Sequence, residues 1–248
     1  MAFTLATSPD WRQSGGTGSL SNRIAHDLGV AIASGDYQPG DVLEGEVEVS
    51  ERLQVSRTAY REAIRMLVAK GMVESRQRTG TRVLDRSNWH LLDPDVVAWS
   101  LEREPDGDFL KALLELRLII EPEAAALAAV RRTPRSLSRL GHALEEMQQH
   151  DLVSEDGRKA DQQFHRLVLE ASGNAVLMTL VSTVETAINW VTKFKQRKDT
   201  VARDARPDHF EIFEAIAAGD AALAREAMVR HISRSQDEAL LALNQSGR

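Results

Sequence analysis

Hydrophobic residues recur at helical spacing in three early segments of the chain, with polar residues between them. Apolar residues three and four positions apart predict amphipathic helices, the first starting at Ser19, the second near 46–53 and the third after Ser56, a residue type that caps helices well. Two short runs at 72–75 and 81–84 predict β-strands, because a turn with a glycine near its end separates them. Three helices followed by a hairpin predict a winged helix-turn-helix.

Every segment from about residue 95 onward has a helical pattern. Thr133 before Pro134 is a capping residue followed by proline at the first helical position, and Gly173 and Gly219 mark breaks. The pattern predicts helices near 95–104, 107–130, 134–150, 155–172, 175–198, 204–218 and 220–244. The predicted fold is therefore mainly α, with an N-terminal winged helix-turn-helix, its two-stranded wing, and a C-terminal all-helical antiparallel bundle.

Domain boundaries follow from these elements and from composition. Residues 1–18 are rich in Ser, Gly and Thr and are expected to be a flexible tail, residues 19–85 the DNA-binding domain, 86–94 a linker and 95–244 the bundle. The 248 residues include no cysteine, which excludes disulfides, thiolate metal sites and cysteine nucleophiles. The apolar runs fall far short of the ~20 residues that span a bilayer, and the N-terminus lacks signal-peptide features. A soluble cytoplasmic protein without a membrane partner is expected.

Charge is distributed unevenly along the chain. The net charge is −6, which argues against a uniformly basic surface, yet residues 57–82 contain seven basic and two acidic residues. A basic island in an acidic protein is typical of a local anion-binding face, although a solvated helix surface carries similar charge. A helix fits the major groove of B-DNA, and a hairpin can place arginines against phosphates. The basic charge of the segment that forms the predicted winged helix therefore indicates binding to double-stranded DNA.

Longer motifs in both halves of the chain resemble one family of regulators. The run LQVSRTAYREAIRML at 53–67, followed by KGMV at 70–73, strongly resembles the winged helix of GntR-type transcription regulators. The C-terminal half is similar to the all-helical ligand domain of the FadR subfamily. Its matching pieces are ELR at 115–117, EP at 121–122, DQQFHR at 161–166 and ASGN at 171–174. The resemblance covers nearly the whole chain from Ser19 and implies a transcription regulator with a ligand-binding bundle.

Departures from the family pattern lie next to the recognition helix. Gln54, Ala59 and Tyr60 stand where the family usually has Gly and Pro-Val. In many relatives the preceding helix carries an arginine that touches DNA, at the position where this chain has Val47. A valine cannot make that contact, so the resemblance implies an operator preference different from that of the better-known members.

The recognition helix and the wing carry the candidate DNA contacts. Arg57 and Arg61 are four residues apart and lie on one helix face. Their guanidinium groups match guanine O6/N7 or phosphate, and the resemblance implies that they read base edges. Ser56 and Thr58 flank the helix N-terminus, where phosphates bind. The candidates in the wing are Arg78, Thr79 and Gly80. One winged helix reads a short half-site, so a homodimer on a palindromic operator is expected.

Four residues in the C-terminal half are candidate metal ligands. Asp161 and His165 are four apart on one face of a predicted helix, although most such pairs are surface hydrogen bonds. His209 and His231 follow on two later helices, at a separation like that in the family. A carboxylate and three imidazoles can converge inside a helical bundle. Nitrogen and oxygen ligands without sulfur suit a divalent metal, zinc first, with nickel or manganese as alternatives.

A charged residue inside an apolar stretch is the candidate effector anchor. Arg117 lies within the apolar run 113–120, and a charge at a core-facing position is costly unless it is paired. It is interpreted either as a salt-bridge partner of Glu121 or Glu170, or as the group that holds a small carboxylate. Resemblance to the FadR subfamily favours the carboxylate anchor. The candidate lining residues of the same cavity are Asn174 and Asn189.

The linker narrows the class of effector. Residues 89–99, WHLLDPDVVAW, look like the corresponding segment of regulators of sugar-acid catabolism, galactonate-responsive ones among them. The expectation is a dimeric repressor released by a sugar acid, such as an aldonate, bound near the metal. The alternatives are a metal-dependent enzyme acting on a small organic acid, and a DNA-binding protein whose metal is purely structural. Against the enzyme, the sequence has no HExxH motif, no phosphate-binding glycine loop and no G-x-S-x-G elbow.

Overall fold

The computed structural model describes residues 19–76, 79–103, 106–150, 154–197 and 203–244. Contacts along the backbone divide the chain into two compact units, with the boundary between Asp106 and Gly107. Within its described residues, the first unit contains four α-helices and one hairpin. Their bounds are α1 (Leu20–Ala33), α2 (Glu46–Leu53), α3 (Arg57–Ala69), β1 (Val73–Arg76), β2 (Gly80–Val83) and α4 (Pro94–Glu102).

Local capping sets where α1 and α3 begin. The hydroxyls of Ser19 and Ser56 accept hydrogen bonds from the backbone N–H groups of Asn22 and Ala59, at 3.4 and 3.1 Å. Each serine therefore caps its helix, and the two predicted helix starts are confirmed. Between α2 and α3 the chain turns at Gln54, whose φ of 53° is in the left-handed region. This is the position where the family usually has glycine, the residue best suited to that backbone.

The wing is an antiparallel strand pair in which Val73 faces Val83 and Arg76 faces Gly80. Both strands lie one residue closer to the turn than the predicted runs, because the pairing continues to Arg76 and Gly80. An isolated bridge joins Val42 to β2 at residue 82. The segment before α2 thereby supports the wing, a contact between distant residues that local patterning does not predict.

Helix α4 packs on α1 within the first unit, which differs from the expectation that the bundle begins at this helix. The physical reason is a close contact between Trp99 and Gly29, where a Cβ atom would come within 2.2 Å of the indole ring. Lys70 adds ion pairs to Asp93 at 2.7 Å and to Asp95 at 2.8 Å. The segment between the wing and α4 is thus held against the rest of the first unit, which we call the head, by apolar packing and by ion pairs.

The second unit is helical throughout its described part. Its helices are α5 (Gly107–Arg131), α6 (Pro134–Gln149), α7 (Glu155–Ala171), α8 (Ala175–Met178), α9 (Val181–Arg197), α10 (Arg206–Ala218) and α11 (Ala221–Asn244). The prediction of one helix over 175–198 is wrong, because Thr179 and Leu180 form a turn that separates α8 from α9. The Thr179 hydroxyl donates to the Val176 carbonyl at 2.7 Å, a local bond that competes with the helical ladder.

The core of the second unit includes Phe164 of α7, which is fully buried. Buried apolar side chains of α5, α6, α9, α10 and α11 belong to the same cluster, among them Leu140, Ile212 and Met228. Polar groups inside such a core need a partner, because an unpaired one is costly to bury. No helix in the described ranges is both long enough and apolar enough to cross a membrane.

Candidate functional site

The first turn of α3 presents an exposed polar surface. Ser56, Arg57, Thr58 and Arg61 are all exposed, because the apolar residues of the opposite helix face are buried in the head. Among the described residues, Arg57 has no carboxylate partner. Arg61 Nη2 lies 3.1 Å from an Oε atom of Glu46 on α2. The start of this helix therefore presents to solvent the guanidinium of Arg57, which has no carboxylate partner among the described residues, and that of Arg61, which is paired.

The described part of the wing tip is exposed as well. Thr79 and Gly80 are accessible to solvent, whereas Arg78, the remaining wing candidate, lies outside the described residues. Arg82 is tied to the protein, because its Nη1 donates to the Gly40 carbonyl at 2.5 Å. Together with α3, this end of the head presents hydroxyl, backbone and guanidinium donors, the groups that contact nucleic-acid phosphates.

Three histidines from three helices of the second unit converge in its interior. His165 on α7, His209 on α10 and His231 on α11 each offer a ring nitrogen, and these nitrogens lie within 4.8 Å of one another. Their side chains are buried. Asp161, one turn before His165, completes the cluster, since its Oδ1 is 2.9 Å from His209 Nε2 and 3.9 Å from His165 Nε2. The structure thus brings the four candidate metal ligands together.

The Nδ1 atoms of the three histidines face groups outside this cluster. Nδ1 of His165 lies against the Glu121 carboxylate. Nδ1 of His209 is 2.8 Å from the Ala205 carbonyl, and Nδ1 of His231 is 3.5 Å from the Asp208 carboxylate. Where Nδ1 donates outward, as in His165 and His209, the lone pair of the ring is left on Nε2. The Nδ1 atom of His231 faces Asp208 without hydrogen-bond geometry. The outward contacts therefore orient the rings as they are oriented in metal sites.

Buried ring nitrogens without partners show that the cluster fits a metal ion. The Nε2 atoms of His165 and His209 are buried, and neither has a hydrogen-bond partner among the described residues. The 2.9 Å approach of Asp161 to His209 lacks hydrogen-bond geometry. Buried polar atoms are normally satisfied, so such atoms call for a ligand. Three imidazole nitrogens and one carboxylate oxygen are a donor set that divalent transition metals accept.

The electrostatics of the cluster favour its metal-binding protonation state. Burial raises the pKa of the Asp161 carboxyl, but the contact with His209 and the charges of His209, His165 and His231 together lower it below its usual value. Burial lowers the pKa of His231 to about 3, and the charges of His209 and His165 act in the same direction. An ionised carboxylate and a neutral imidazole are the forms that bind a divalent cation.

Comparison with known proteins assigns both units of the chain. Residues 20–83 match the family described as bacterial regulatory proteins, gntR family, and residues 112–234 match the FCD domain. The galactonate operon transcriptional repressor of Escherichia coli K12 is 33% identical over 221 residues, which cover 87% of this chain and 94% of that protein. The chain belongs to the GntR family. This result confirms the resemblance seen in the motifs.

Other similar proteins support the same family and fold for this GntR protein. LutR of Bacillus subtilis is 34% identical over 211 residues, covering 83% of this chain and 94% of that regulator. Two solved structures share the fold. Lar, which controls expression of the Listeria monocytogenes agr system, has a TM-score of 0.62 at 20% identity, with 91% of this chain and 99% of Lar covered. McbR/YncC of Escherichia coli has a TM-score of 0.53 at 18% identity, with 94% of this chain and 100% of that chain covered. The chain is a DNA-binding transcription regulator and not an enzyme, which removes the enzyme alternative.

In this GntR regulator, Arg117 is buried on α5 and paired. It is 3% exposed, and its Nε donates to Glu121 Oε1 at 2.6 Å. Of the two salt-bridge partners considered from the sequence, Glu121 is the one found, while Glu170 contacts Arg139 instead. Because Glu121 also contacts His165, the guanidinium is one side chain removed from the histidine cluster.

The two asparagine candidates differ in what they already do. The Asn174 side chain caps α8, since its Oδ1 accepts from the backbone N–H groups of Val176 and Leu177 at 3.0 and 3.4 Å. Its carbonyl oxygen therefore has a structural role. Asn189 is partly buried on α9. Asn189 is the better candidate for contact with a ligand.

Two carboxylates that face the histidines were not predicted to do so. Arg117 and Glu121 are four residues apart, a spacing typical of pairs on one helix face, and Asp208 directly precedes His209. These signals are visible in the sequence. They do not predict which ring nitrogen a carboxylate faces, because that depends on how α5 and α10 pack against α7 and α11.

Proposed function

We propose that this GntR regulator is a dimeric repressor that leaves its operator when a small carboxylate effector binds near a metal ion in the helical unit. The observation that carries the proposal is the buried pair of Nε2 atoms of His165 and His209, which have no hydrogen-bond partner among the described residues and lie beside the Asp161 carboxylate. The effector would act by population shift, lowering DNA affinity by its differential affinity for two conformations. The protein would act in the cytoplasm, where its operator is.

On the DNA side, the recognition helix enters the major groove and the wing contacts the backbone. Arg57 and Arg61 read base edges, while Ser56 and Thr58 contact phosphates. The wing contacts come from Arg78, Thr79 and Gly80. Two chains bind one palindromic operator, because a single winged helix reads only a half-site. Light scattering of the complex with a selected DNA duplex tests this, since one chain per duplex would contradict it.

Zinc is the proposed metal, with nickel and manganese as alternatives. Asp161, His165, His209 and His231 would hold it, and the ion would supply a positive charge for an anionic ligand. Metal content of the untagged, unchelated protein is measured by inductively coupled plasma mass spectrometry. About one divalent ion per chain is expected, as in a site with four protein ligands, and the variant His209→Ala should lose it. A metal-free wild type that also fails to take up any of the three ions contradicts the site.

The proposed effector is a sugar acid, namely an aldonate or a related hexonate. Similarity to the galactonate operon transcriptional repressor supports this class. Arg117 would hold the carboxylate with its terminal nitrogens, because its Nε is already used by Glu121. The proposed lining residues are Asn174 and Asn189.

Arg117→Lys separates an effector sensor from a regulator with a purely structural metal. Alanine at this position would leave the Glu121 carboxylate buried without its cation, which would destabilise the fold by ~3–5 kcal/mol. Lysine keeps the positive charge but cannot hold a carboxylate with two parallel N–H groups. Operator binding is measured by fluorescence anisotropy at fixed salt against a panel of aldonates. Retained binding of both DNA and metal, together with a lost response, supports the anchor. A variant that responds like the wild type removes Arg117 from the effector site, and a wild type that responds to nothing favours the structural metal.

A further inference from the structure

One carboxylate outside the four candidate ligands contacts the histidine cluster directly. Glu121 lies on α5 with 1% of its side chain exposed. Its Oε1 accepts a hydrogen bond from Arg117 Nε at 2.6 Å, and its Oε2 contacts Nδ1 of His165. Both oxygens are therefore engaged, one by a cation and the other by a ring nitrogen of the cluster.

The contact with Glu121 decides which nitrogen of His165 carries the proton. An ionised carboxylate only accepts hydrogen bonds, so Nδ1 has to donate. The lone pair is then left on Nε2, the atom that lies 3.9 Å from Asp161 and has no hydrogen-bond partner among the described residues. A carboxylate on the far nitrogen also fixes the rotation of the ring and increases its basicity as a ligand.

Arg117 holds this carboxylate in place. A buried charge is costly unless it is paired and hydrogen-bonded, and Arg117 supplies both from one helical turn away on α5. The pair is rigid, because both side chains are almost completely buried. The guanidinium therefore holds the Glu121 carboxylate in place, facing Nδ1 of His165.

Among the described residues, the Nδ1 atoms of the other two histidines have no equally close carboxylate. His209 Nδ1 donates to the neutral carbonyl of Ala205 at 2.8 Å. Asp208 is 3.5 Å from His231 Nδ1, without hydrogen-bond geometry. Among the carboxylates outside the ligand set, Glu121 thus has the closest contact with a ligand candidate.

We infer that Glu121 is a positioning residue for the metal: it selects the tautomer of His165 that presents Nε2 and holds the ring in place, and Arg117 holds Glu121. The inference rests on the metal site of the proposed function. It assigns to the Arg117–Glu121 pair a role that stands whether or not Arg117 also contacts an effector.

Glu121→Gln tests the inference. Glutamine has the same shape, but its amide offers a single acceptor oxygen for two donors, so either His165 or Arg117 loses its partner. Zn²⁺ and Co²⁺ are titrated into the metal-free full-length protein. The variant should bind each ion about 10- to 100-fold more weakly, and the visible absorption band of bound Co²⁺, which reports ligand geometry, should change. Glu123→Gln is the matched control, because Glu123 lies on the same helix, is exposed and pairs with Arg225 away from the cluster.

Two further measurements keep the test decisive. Glu121→Asp retains the charge but retracts it by one methylene, so it should also weaken metal binding if glutamine at this position prevents folding. Circular dichroism establishes that each variant is folded. Wild-type affinity and an unchanged Co²⁺ spectrum in the Glu121 variants overturn the inference, as does a loss of thermal stability with unaltered metal affinity. Failure of the wild type to bind either ion overturns the metal site itself and the inference with it.

Discussion

Replacing Arg57 by alanine removes the guanidinium that is freest to contact DNA. Arg57 is the first residue of α3, is exposed, and has no carboxylate partner among the described residues. It can reach a base edge without first breaking an ion pair. Loss of a base-reading arginine costs ~1–3 kcal/mol and relaxes specificity. Operator affinity should therefore fall about 5- to 150-fold, since each 1.4 kcal/mol is a factor of about ten.

Arg61 differs because it is already engaged. Its side chain is 57% exposed and lies 3.1 Å from Glu46, which is 35% exposed. Pairs of this exposure are worth ~0.2–1 kcal/mol, and this energy opposes transfer of the guanidinium to DNA. Glu46→Gln should therefore tighten operator binding by about 1.4- to 5-fold, and this gain should vanish in an Arg61→Ala background.

The assay is fluorescence anisotropy with a duplex selected from a random pool by the wild-type protein, at one fixed salt concentration. Binding to an unrelated duplex is measured in parallel, because affinity without the specificity ratio is not informative. Arg65→Ala is the matched control, since Arg65 is exposed on the same helix and pairs with Glu62. The reasoning is refuted if Arg57→Ala leaves the ratio of specific to unspecific binding unchanged, or if Glu46→Gln weakens binding.

Three other predictions concern metal, pH and backbone. His209→Ala should abolish the increase in thermal midpoint that Zn²⁺ produces in the wild type, because a ligand that binds the folded state stabilises it by mass action; an equal increase in both proteins would contradict the site. Hydrogen bonds with Asp27 and Glu102 raise the pKa of His26 from 6.5 to about 10 against the effect of burial. The stabilising contribution of protonated His26 is therefore complete below about pH 6.5 and is lost as the pH rises towards 10. The thermal midpoint should consequently fall less between pH 6 and 10 in His26→Gln than in the wild type. An equal fall in both proteins would argue against these hydrogen bonds. Gln54→Gly should raise the free energy of unfolding by up to ~1 kcal/mol in urea denaturation, because glycine relieves the left-handed backbone; destabilisation would show that the cap bond of Gln54 to Glu51 matters more.

The start and the polar face of α3 could be predicted from local sequence, and so could the pairing of Asp161 with His165, whereas the candidates His209 and His231 came from the resemblance to the family. Ser56 is a capping residue before an amphipathic run, and Arg57 and Arg61 fall on the polar face of that run. Asp161 and His165 are one helical turn apart. Each of these features depends on neighbours within a few residues, where spacing translates directly into geometry.

Contacts between distant segments could not be predicted in the same way. The sequence shows that Arg117 is a charge in an apolar stretch, but the contact of Glu121 with His165 requires α5 to pack beside α7. The place of α4 depends on Trp99 lying over Gly29, which no local pattern contains. The turn after α8 falls at Thr179 and Leu180, where neither glycine nor proline marks a break.

In the proposed mechanism, a small anion that binds beside a metal ion controls the affinity of the protein for DNA. The most direct measurement is the operator affinity of the metal-loaded protein against a panel of aldonates, hexuronates and dicarboxylates, repeated after the metal has been removed by a chelator. One sugar acid should lower the affinity at least about tenfold, within the usual range of allosteric coupling, and its effect should disappear from the metal-free protein. An affinity that no compound alters, or a release that is equally strong without metal, would contradict the account.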